Sequence, residues 1–433
     1  MTIFRSVLSL MMSLGLAATA VGADTVPALR LERTATGAWS LVRDGRPFRV
    51  NGIGGSVRYE QAARLGANAA RTWGAEQAET VIPAARAAGL MVAVGFWLSH
   101  DAKDYRDEAY KQGMRDEVRT ILARWAGDPA VLCWTIGNET NLGADTDEAW
   151  AFIGELAALC KALDPRHPVM TVLAHPGITT MDRMARLAPA VDILGVNSYA
   201  GMPGWSRSLA RSAFTGPYMY TEWGVNGHWE VAKTPWGAPI EQTSSEKAAV
   251  IGERWRQIDR ERDRCLGSFV FLWGQKQERT PTWYSLFVER RPELGLDGEM
   301  VAAVDVLARG WTGRAPAGGA LDIAPLRIAG AETRHHETDG TPFTVTVDAR
   351  DPDGDPLTYR YEVLAEATVL GTAGSREPRP AAIPDAVRGS GPEATVTVAA
   401  PGTYRLFAYV LDGTGRVATA NLPFRVASPT GSP

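Results

Sequence analysis

Between residues 40 and 314 the chain repeats one pattern: a short, almost wholly apolar run, then a longer segment with helical spacing. A strand with no polar face must be covered on both sides, and an intervening helix lets successive strands run parallel. The apolar runs are 48–54, 68–73, 90–97, 131–137, 168–174, 191–197, 217–223 and 267–273. Helical segments include 113–126, 146–163, 179–187 and 246–263. Eight such units predict an α/β fold of the (β/α)8 TIM-barrel type rather than an open doubly wound sheet. The boundaries agree with this. Gly66 can take a left-handed cap, Thr243 and Glu246 have capping-box spacing, and Asp145-x-x-Glu148 is expected to open the helix that buries Cys160. Three strand-to-helix connections, 98–112, 224–243 and 274–297, are long, and in a barrel they lie on the rim that carries the site.

Composition divides the chain. All 14 Trp lie between Trp39 and Trp311. Past the Gly/Ala/Pro stretch TGRAPAGGA the pattern becomes short alternating strands at 342–349, 357–364, 394–399, 403–411 and 421–426, separated by turns such as DPDGDP. These predict a small antiparallel β-sandwich, similar to the immunoglobulin-like and polycystic-kidney-type modules. The expected division is a barrel over 24–314, a flexible linker over 315–321 and a sandwich over 322–433, the last dispensable for chemistry. Residues 1–23 have a basic Arg5, an apolar core and small residues Ala18, Ala20 and Ala23, as a secretory signal does. The expected location is therefore secreted or periplasmic. No second long apolar run follows, so no membrane span is expected in the mature chain.

Several chemistries are excluded early. A net charge of −4 provides no footprint for nucleic acid. NGIGGS after the first strand lacks G-x-G-x-x-G, so a dinucleotide cofactor is not expected. Cys133, Cys160 and Cys265 are too few and scattered for a disulfide framework. No H-x-H marks an early strand, so no metal is expected, and Asp351-Pro-Asp353-Gly-Asp355 reads as a turn because Pro356 stands where a calcium loop needs Gly.

What remains is a pair of carboxylates. Trp134-Thr-Ile-Gly-Asn138-Glu139 ends the fourth strand and Tyr220-Thr-Glu222-Trp223-Gly224 ends the seventh. C-terminal strand ends converge at a barrel mouth, so two distant Glu can face one another there. A pair about 5–5.5 Å apart is what a retaining glycosidase uses as acid/base and nucleophile.

These motifs resemble those of the retaining glycoside hydrolases with (β/α)8 barrels, the superfamily of β-galactosidases, β-glucuronidases, cellulases and glucanosyltransferases. The resemblance covers roughly residues 45–312. It implies that Glu139, after Asn138, is the acid/base and that Glu222 in TEWG is the nucleophile. It further implies that Arg71, Tyr199 and Trp273 line the site, and Asn138 is expected to hold the sugar 2-hydroxyl. Asn197, Trp97, Trp223 and Trp283 complete the expected sugar-binding set, because sugars stack their C–H faces on aromatic rings. His100, His175 and His228 lie on the same rim and read as loop hydrogen-bonders.

The substrate implied is an oligo- or polysaccharide, a β-glucan by motif likeness, cleaved internally in a cleft walled by Trp229, Trp236 and Trp283. A transglycosylase would share the first half-reaction. A non-catalytic carbohydrate-binding barrel would be expected to have lost one of the two Glu, and both are present.

Overall fold

The computed structural model describes residues 29–371 and 376–428; the expected secretory signal at 1–23 lies outside them. All eight expected barrel strands form. They are β1 (Val50–Gly54), β2 (Ala69–Arg71), β3 (Met91–Phe96), β4 (Val131–Asn138), β5 (Val169–Ala174), β6 (Ile193–Asn197), β7 (Tyr218–Trp223) and β8 (Cys265–Val270). Each pairs in parallel with its neighbours, and β8 pairs with β1 to close the barrel. The helices are α1 (Tyr59–Arg64), α2 (Ala78–Ala87), α3 (Glu108–Trp125), α4 (Asp147–Leu163), α5 (Ile178–Leu187), α6 (Trp205–Ala210), α7 (Ser244–Arg260) and α8 (Ala302–Thr312).

Side chains alternate along the strands between the barrel interior and the helix layer. Met91, Ala93, Cys133, Met170, Val172, Met219 and Phe269 fill the interior in one apolar cluster. Leu29 and Leu41 join that cluster from a three-stranded antiparallel sheet (Leu29–Arg33, Trp39–Arg43 and Arg46–Phe48). This sheet, which the sequence pattern did not signal, packs against the same cluster. Val92, Val94, Trp134, Ile136, Leu194 and Val196 belong instead to the outer cluster shared with the helices.

Helix starts follow local chemistry. Thr243 and Glu246 form the capping box of α7. On α4 the cap is Thr146, which accepts from Ala149 N, and not Asp145, whose carboxylate instead takes the Trp150 indole N–H and the Thr180 hydroxyl. Cys133, Cys160 and Cys265 are free and buried, and burial pushes each thiol up, to about 12, 12 and 11. A thiol so placed is a packing group, not a nucleophile.

Beyond Asp322 the chain forms two facing sheets. Strands at Ala331–Glu332, Arg327–Ile328, Phe343–Thr346, Glu393–Val396 and Val387–Arg388 make one, and His336–Thr338, Val417–Val426, Gly402–Leu411 and Thr358–Ala365 make the other. Their inner faces share a core with Val345, Val396, Leu406, Leu422 and Phe424 at its centre. Asp351 accepts from Asp353 N and Gly354 N, the turn expected of DPDGDP.

The expectation of a loosely tethered sandwich fails. Leu364, Phe407, Tyr409, Leu411 and Val417 of the sandwich belong to the barrel's own outer apolar cluster. Thr419 N donates to Ser244 Oγ at 2.9 Å, Ile323 N to Ser245 Oγ at 2.8 Å, and Arg416 pairs with Asp305 of α8. Within the expected flexible linker, Ala317 O accepts from Arg416 and Gly319 N donates to Asp353. The two units share one packed interface. Ending the chain at Gly313 would uncover that apolar surface and strand Asp305 without its cation. Such a chain is therefore expected to aggregate or to lose several degrees or more of barrel melting temperature, read by light scattering and circular dichroism.

Candidate active site

The two carboxylates are brought to the mouth by irregularities at the strand ends. In β7, Met219 faces the interior and Tyr220 the helix layer, where its hydroxyl meets Glu261. The register with β6 shifts between Tyr220 and Glu222. A bulge of this kind re-aims a side chain, so Thr221 and Glu222 both face the mouth. The register of β4 with β5 shifts likewise between Ile136 and Asn138. Gly137 has φ 76°, and a Cβ there would sit 2.7 Å from Thr140 Oγ1, so only glycine makes this turn freely. Glu139 follows at φ 53°, with its N–H bonded to Val172 O at 2.8 Å.

Arg71, at the end of β2 and fully buried, ties these ends together. One terminal nitrogen donates to Glu222 Oε1 and to Thr221 O, both at 3.0 Å; the other donates to Asn138 Oδ1 at 2.6 Å. Glu222 has two more donors: Trp73 Nε1 at 2.7 Å on Oε1 and Tyr199 Oη at 3.2 Å on Oε2. Three donors, one of them a guanidinium, thus converge on this carboxylate. Asn197, at the end of β6, donates to Asn138 Oδ1 at 3.2 Å and to Glu139 Oε1 at 2.9 Å, while Thr221 Oγ1 holds its own carbonyl at 2.8 Å. His100 Nε2 lies 2.7 Å from Asn138 O, and His175 Nδ1 2.8 Å from Ser198 Oγ, so both act as loop hydrogen-bonders.

Glu139 is placed differently from Glu222. Burial, and then the charge of Glu222, push its carboxyl up to about 7; the Asn197 amide and Arg71 only partly oppose them. Two carboxyls in one site thus have opposite surroundings, the arrangement that separates an acid from a nucleophile. Burial also pushes the Tyr199 phenol well up, leaving it a hydrogen-bond donor.

The expected aromatic set is redistributed. Trp97 is exposed at 41%, its ring 5.4 Å from that of His100 beside the Glu139 strand end. Trp229 is exposed at 57% and meets Tyr199 edge-on at 5.7 Å. These two rings can meet a sugar. Trp273 cannot: it lies past β8, fully buried against Phe287 at 5.1 Å and Trp311 of α8 at 6.3 Å. Trp223 follows Glu222 by one position, so alternation sends it into the buried outer layer. Trp283 is buried too, its indole N–H spent on Asn226 O at 2.9 Å. Trp236 packs on the sandwich, 5.6 Å from His335, not on the mouth.

The ring at the end of the eighth strand is instead Phe271, which meets Trp73 at 5.9 Å, Tyr199 at 6.3 Å and Tyr284 at 5.4 Å. Phe271, Tyr284 and Glu278 were not singled out from the sequence. For Phe271 the signal was available, since it directly follows the last strand residue; Glu278 sits in a long loop with no pattern to mark it. Burial pushes the Glu278 carboxyl up, against the pull of Lys276, whose Nζ lies 2.7 Å away. Among the described residues no group of three His, Cys, Asp or Glu is placed to hold a metal ion.

No family model matches the chain. Among curated proteins, a mannan endo-1,4-β-mannosidase F of Aspergillus clavatus is 30% identical over 76 residues, 17% of this chain and 17% of its own. The protein of that name from Aspergillus fumigatus is 28% identical over 114 residues, 25% of this chain and 24% of its own. Among solved structures, a β-D-glucuronidase of Dictyoglomus thermophilum superposes with a TM-score of 0.52 at 18% identity, over 67% of this chain and 54% of that one. A Faecalibacterium prausnitzii β-glucuronidase gives 0.51 at 19% identity, over 66% and 52%. The fold these comparisons show is the (β/α)8 barrel. The chain spans about a fifth of the curated relatives and about half of the structural ones.

If Glu139 must start protonated, kcat/KM falls as pH rises through about 7, where that carboxyl loses its proton. Removing the Glu222 charge takes away the second cause of the upward shift. In Glu222→Gln, carbon-13 NMR is therefore expected to find Glu139 titrating lower than in the wild type.

Proposed function

We propose that the protein is a retaining glycoside hydrolase acting on a β-linked polysaccharide. The observation that carries this is the asymmetry of the pair: Glu222 gripped by Arg71, Trp73 and Tyr199, and Glu139 held in surroundings that keep its proton. Glu222 Oε1 takes two strong donors, which leaves Oε2, with the longer Tyr199 bond, as the attacking oxygen. In the first half-reaction Oε2 bonds to the anomeric carbon as the glycosidic C–O bond breaks, and the Glu139 proton goes to the departing oxygen. Glu222 is then an uncharged ester, so Glu139, now ionised, takes a proton from water. The water oxygen bonds to the anomeric carbon and the Glu222 carboxylate leaves. Asn138 has its carbonyl oxygen fixed by Arg71 and Asn197, which orients its amide N–H2 toward a sugar hydroxyl.

Trp97 and Trp229 are the platforms for neighbouring sugar units. The motif likeness supports a β-glucan; the segmental likeness to the two Aspergillus mannosidases supports a β-1,4-mannan. We place the enzyme outside the cytoplasm on the strength of residues 1–23.

Two experiments test this. Glu222→Gln is expected to lower kcat by several orders of magnitude with the fold intact. Glu139→Ala is expected to lose about 10²–10⁴-fold on natural substrates, to retain activity on aryl glycosides with good leaving groups, and to be rescued by azide with retention. An inverted glycosyl azide from the Glu139 variant would reverse the two roles. Separately, early products from β-glucans and β-mannans, resolved by chromatography and mass spectrometry, report sugar, linkage and transfer together. Internal cleavage releases a ladder of oligosaccharides; monosaccharide alone would refute it, and products longer than the substrate would mark a transglycosylase.

A further inference from the structure

The 274–297 connection follows β8 and is joined to the 224–243 connection at several points. His228 N donates to Tyr284 Oη, Trp283 Nε1 to Asn226 O, and Arg279 Nε approaches His228 Nδ1 at 3.3 Å. Beneath them Glu241 pairs with Lys247 of α7 and accepts from Thr280 and Thr282. At its tip, Lys276–Thr280 carries the Lys276–Glu278 pair, and Lys276 Nζ lies 5.6 Å from the ring of Phe271, whose neighbours Trp73 and Tyr199 both bond Glu222.

A short polar turn needs something to hold it, because ordering its backbone is unfavourable by itself. Its two ends are held within the barrel, Lys276 N by Ser285 Oγ at 3.2 Å and Thr280 by Glu241, but Gln277 and Arg279 between them are held from the other unit. Glu377 of the sandwich is buried at 3% exposure. It takes Arg279 N on Oε2 at 2.6 Å, and its Oε1 lies 3.2 Å from Arg279 Nη1. Glu377 N donates to Gln277 O at 3.2 Å, and Gly371 N donates to Glu377 Oε1 at 3.0 Å. The residues on both sides of Glu278 are thereby fixed from across the interface.

We propose that Glu377 is a positioning residue for the substrate cleft: by holding Gln277 and Arg279 it sets the Lys276–Glu278 pair against Phe271 at the edge of the reacting centre. The sandwich thus completes the cleft wall next to the site, although none of its described residues touches Glu139 or Glu222 by hydrogen bond. This inference rests on the glycosidase reading above for its kinetic consequence, but not for its structural one. Glu377 acts through the turn, so its loss should weaken substrate binding more than the bond-breaking step.

The test uses the full chain and three variants. Glu377→Gln keeps the shape and one acceptor while removing the charge, and Glu377→Ala removes both. Asp305→Asn breaks the Arg416 ion pair of the same interface on α8, away from the turn. Hydrogen exchange by mass spectrometry is expected to show residues 275–285 exchanging about tenfold or more faster in both Glu377 variants, and unchanged in Asp305→Asn. On whichever polysaccharide the wild type cleaves, both Glu377 variants are expected to raise KM by about tenfold while kcat changes less than about threefold; Asp305→Asn should lower melting temperature without moving KM. Unchanged exchange in Glu377→Gln and Glu377→Ala would overturn the proposal whatever the enzyme's substrate. Faster exchange with KM unmoved would overturn its kinetic half. A wild type inactive on every glycoside would refute the glycosidase reading instead, and leave the exchange result to decide the clamp. If Glu377→Ala does not fold, Glu377→Gln carries both measurements.

Discussion

The guanidinium of Arg71 is a fully buried cation, and the mouth of the barrel is organised around satisfying it. An unpaired charge at that depth would be prohibitively unfavourable, so its neighbours must be acceptors held in place. Glu222 provides the counter-charge, Asn138 a carbonyl oxygen and Thr221 a backbone carbonyl, drawn from strands β4 and β7 on either side of β2. The constraint propagates outward. Once Asn138 Oδ1 is committed to Arg71, Asn197 can bridge it to Glu139, so the position of the second carboxyl is set by the first through three side chains. The two carboxyls end in unlike surroundings: Glu222 bonds the buried cation directly, whereas Glu139 is pushed up by its own burial and then by the charge of Glu222.

The interface between barrel and sandwich obeys the same rule on a larger scale. It has an apolar centre, where Phe407 and Tyr409 join the barrel's outer cluster, and a ring of ion pairs around it. Arg405 is almost fully buried, bonds Glu366 and Asn421 in its own unit, and reaches Pro239 O in the 224–243 connection. Arg379 joins Glu362 of the sandwich to Glu289 of the 274–297 connection. Two of the long rim connections therefore rest on the sandwich, whereas the 98–112 connection is held by the barrel, through His100 to Asn138 O and Arg106 to Glu148 of α4. One wall of the cleft is built by both units and the other by the barrel alone.

Much of this was legible in the residues. Each barrel strand is apolar along its whole length because both faces are covered, and that pattern survives without any knowledge of pairing. Asn138–Glu139 and Glu222 stand out because polar residues directly end such runs. With Glu222 facing the mouth, its neighbour Trp223 must face outward, but Phe271 and Trp273 lie two residues apart, on one face by alternation, so alternation could not choose between them. Those misplacements came from reading Trp as a sugar platform wherever it followed a strand, when a large apolar ring buries itself unless something keeps it out. The Gly/Ala/Pro stretch near 315 resembled a flexible tether for a related reason: composition reports what a segment can do alone, not that Ala317 and Gly319 will find Arg416 and Asp353.

The sequence by itself determined the periodic elements, their parallel order and the two carboxylates at matching strand ends, because these depend on local pattern and on the single closed arrangement that buries eight two-sided strands. Tertiary structure alone decided how the donors divide between the two oxygens of Glu222, which tryptophans stay exposed, and that Glu377 of the second unit would reach Arg279 across the interface. The physical reason is separation along the chain. Hydrogen bonds and burial at the mouth join residues that are far apart in sequence, and no periodicity records such a meeting before the barrel has closed.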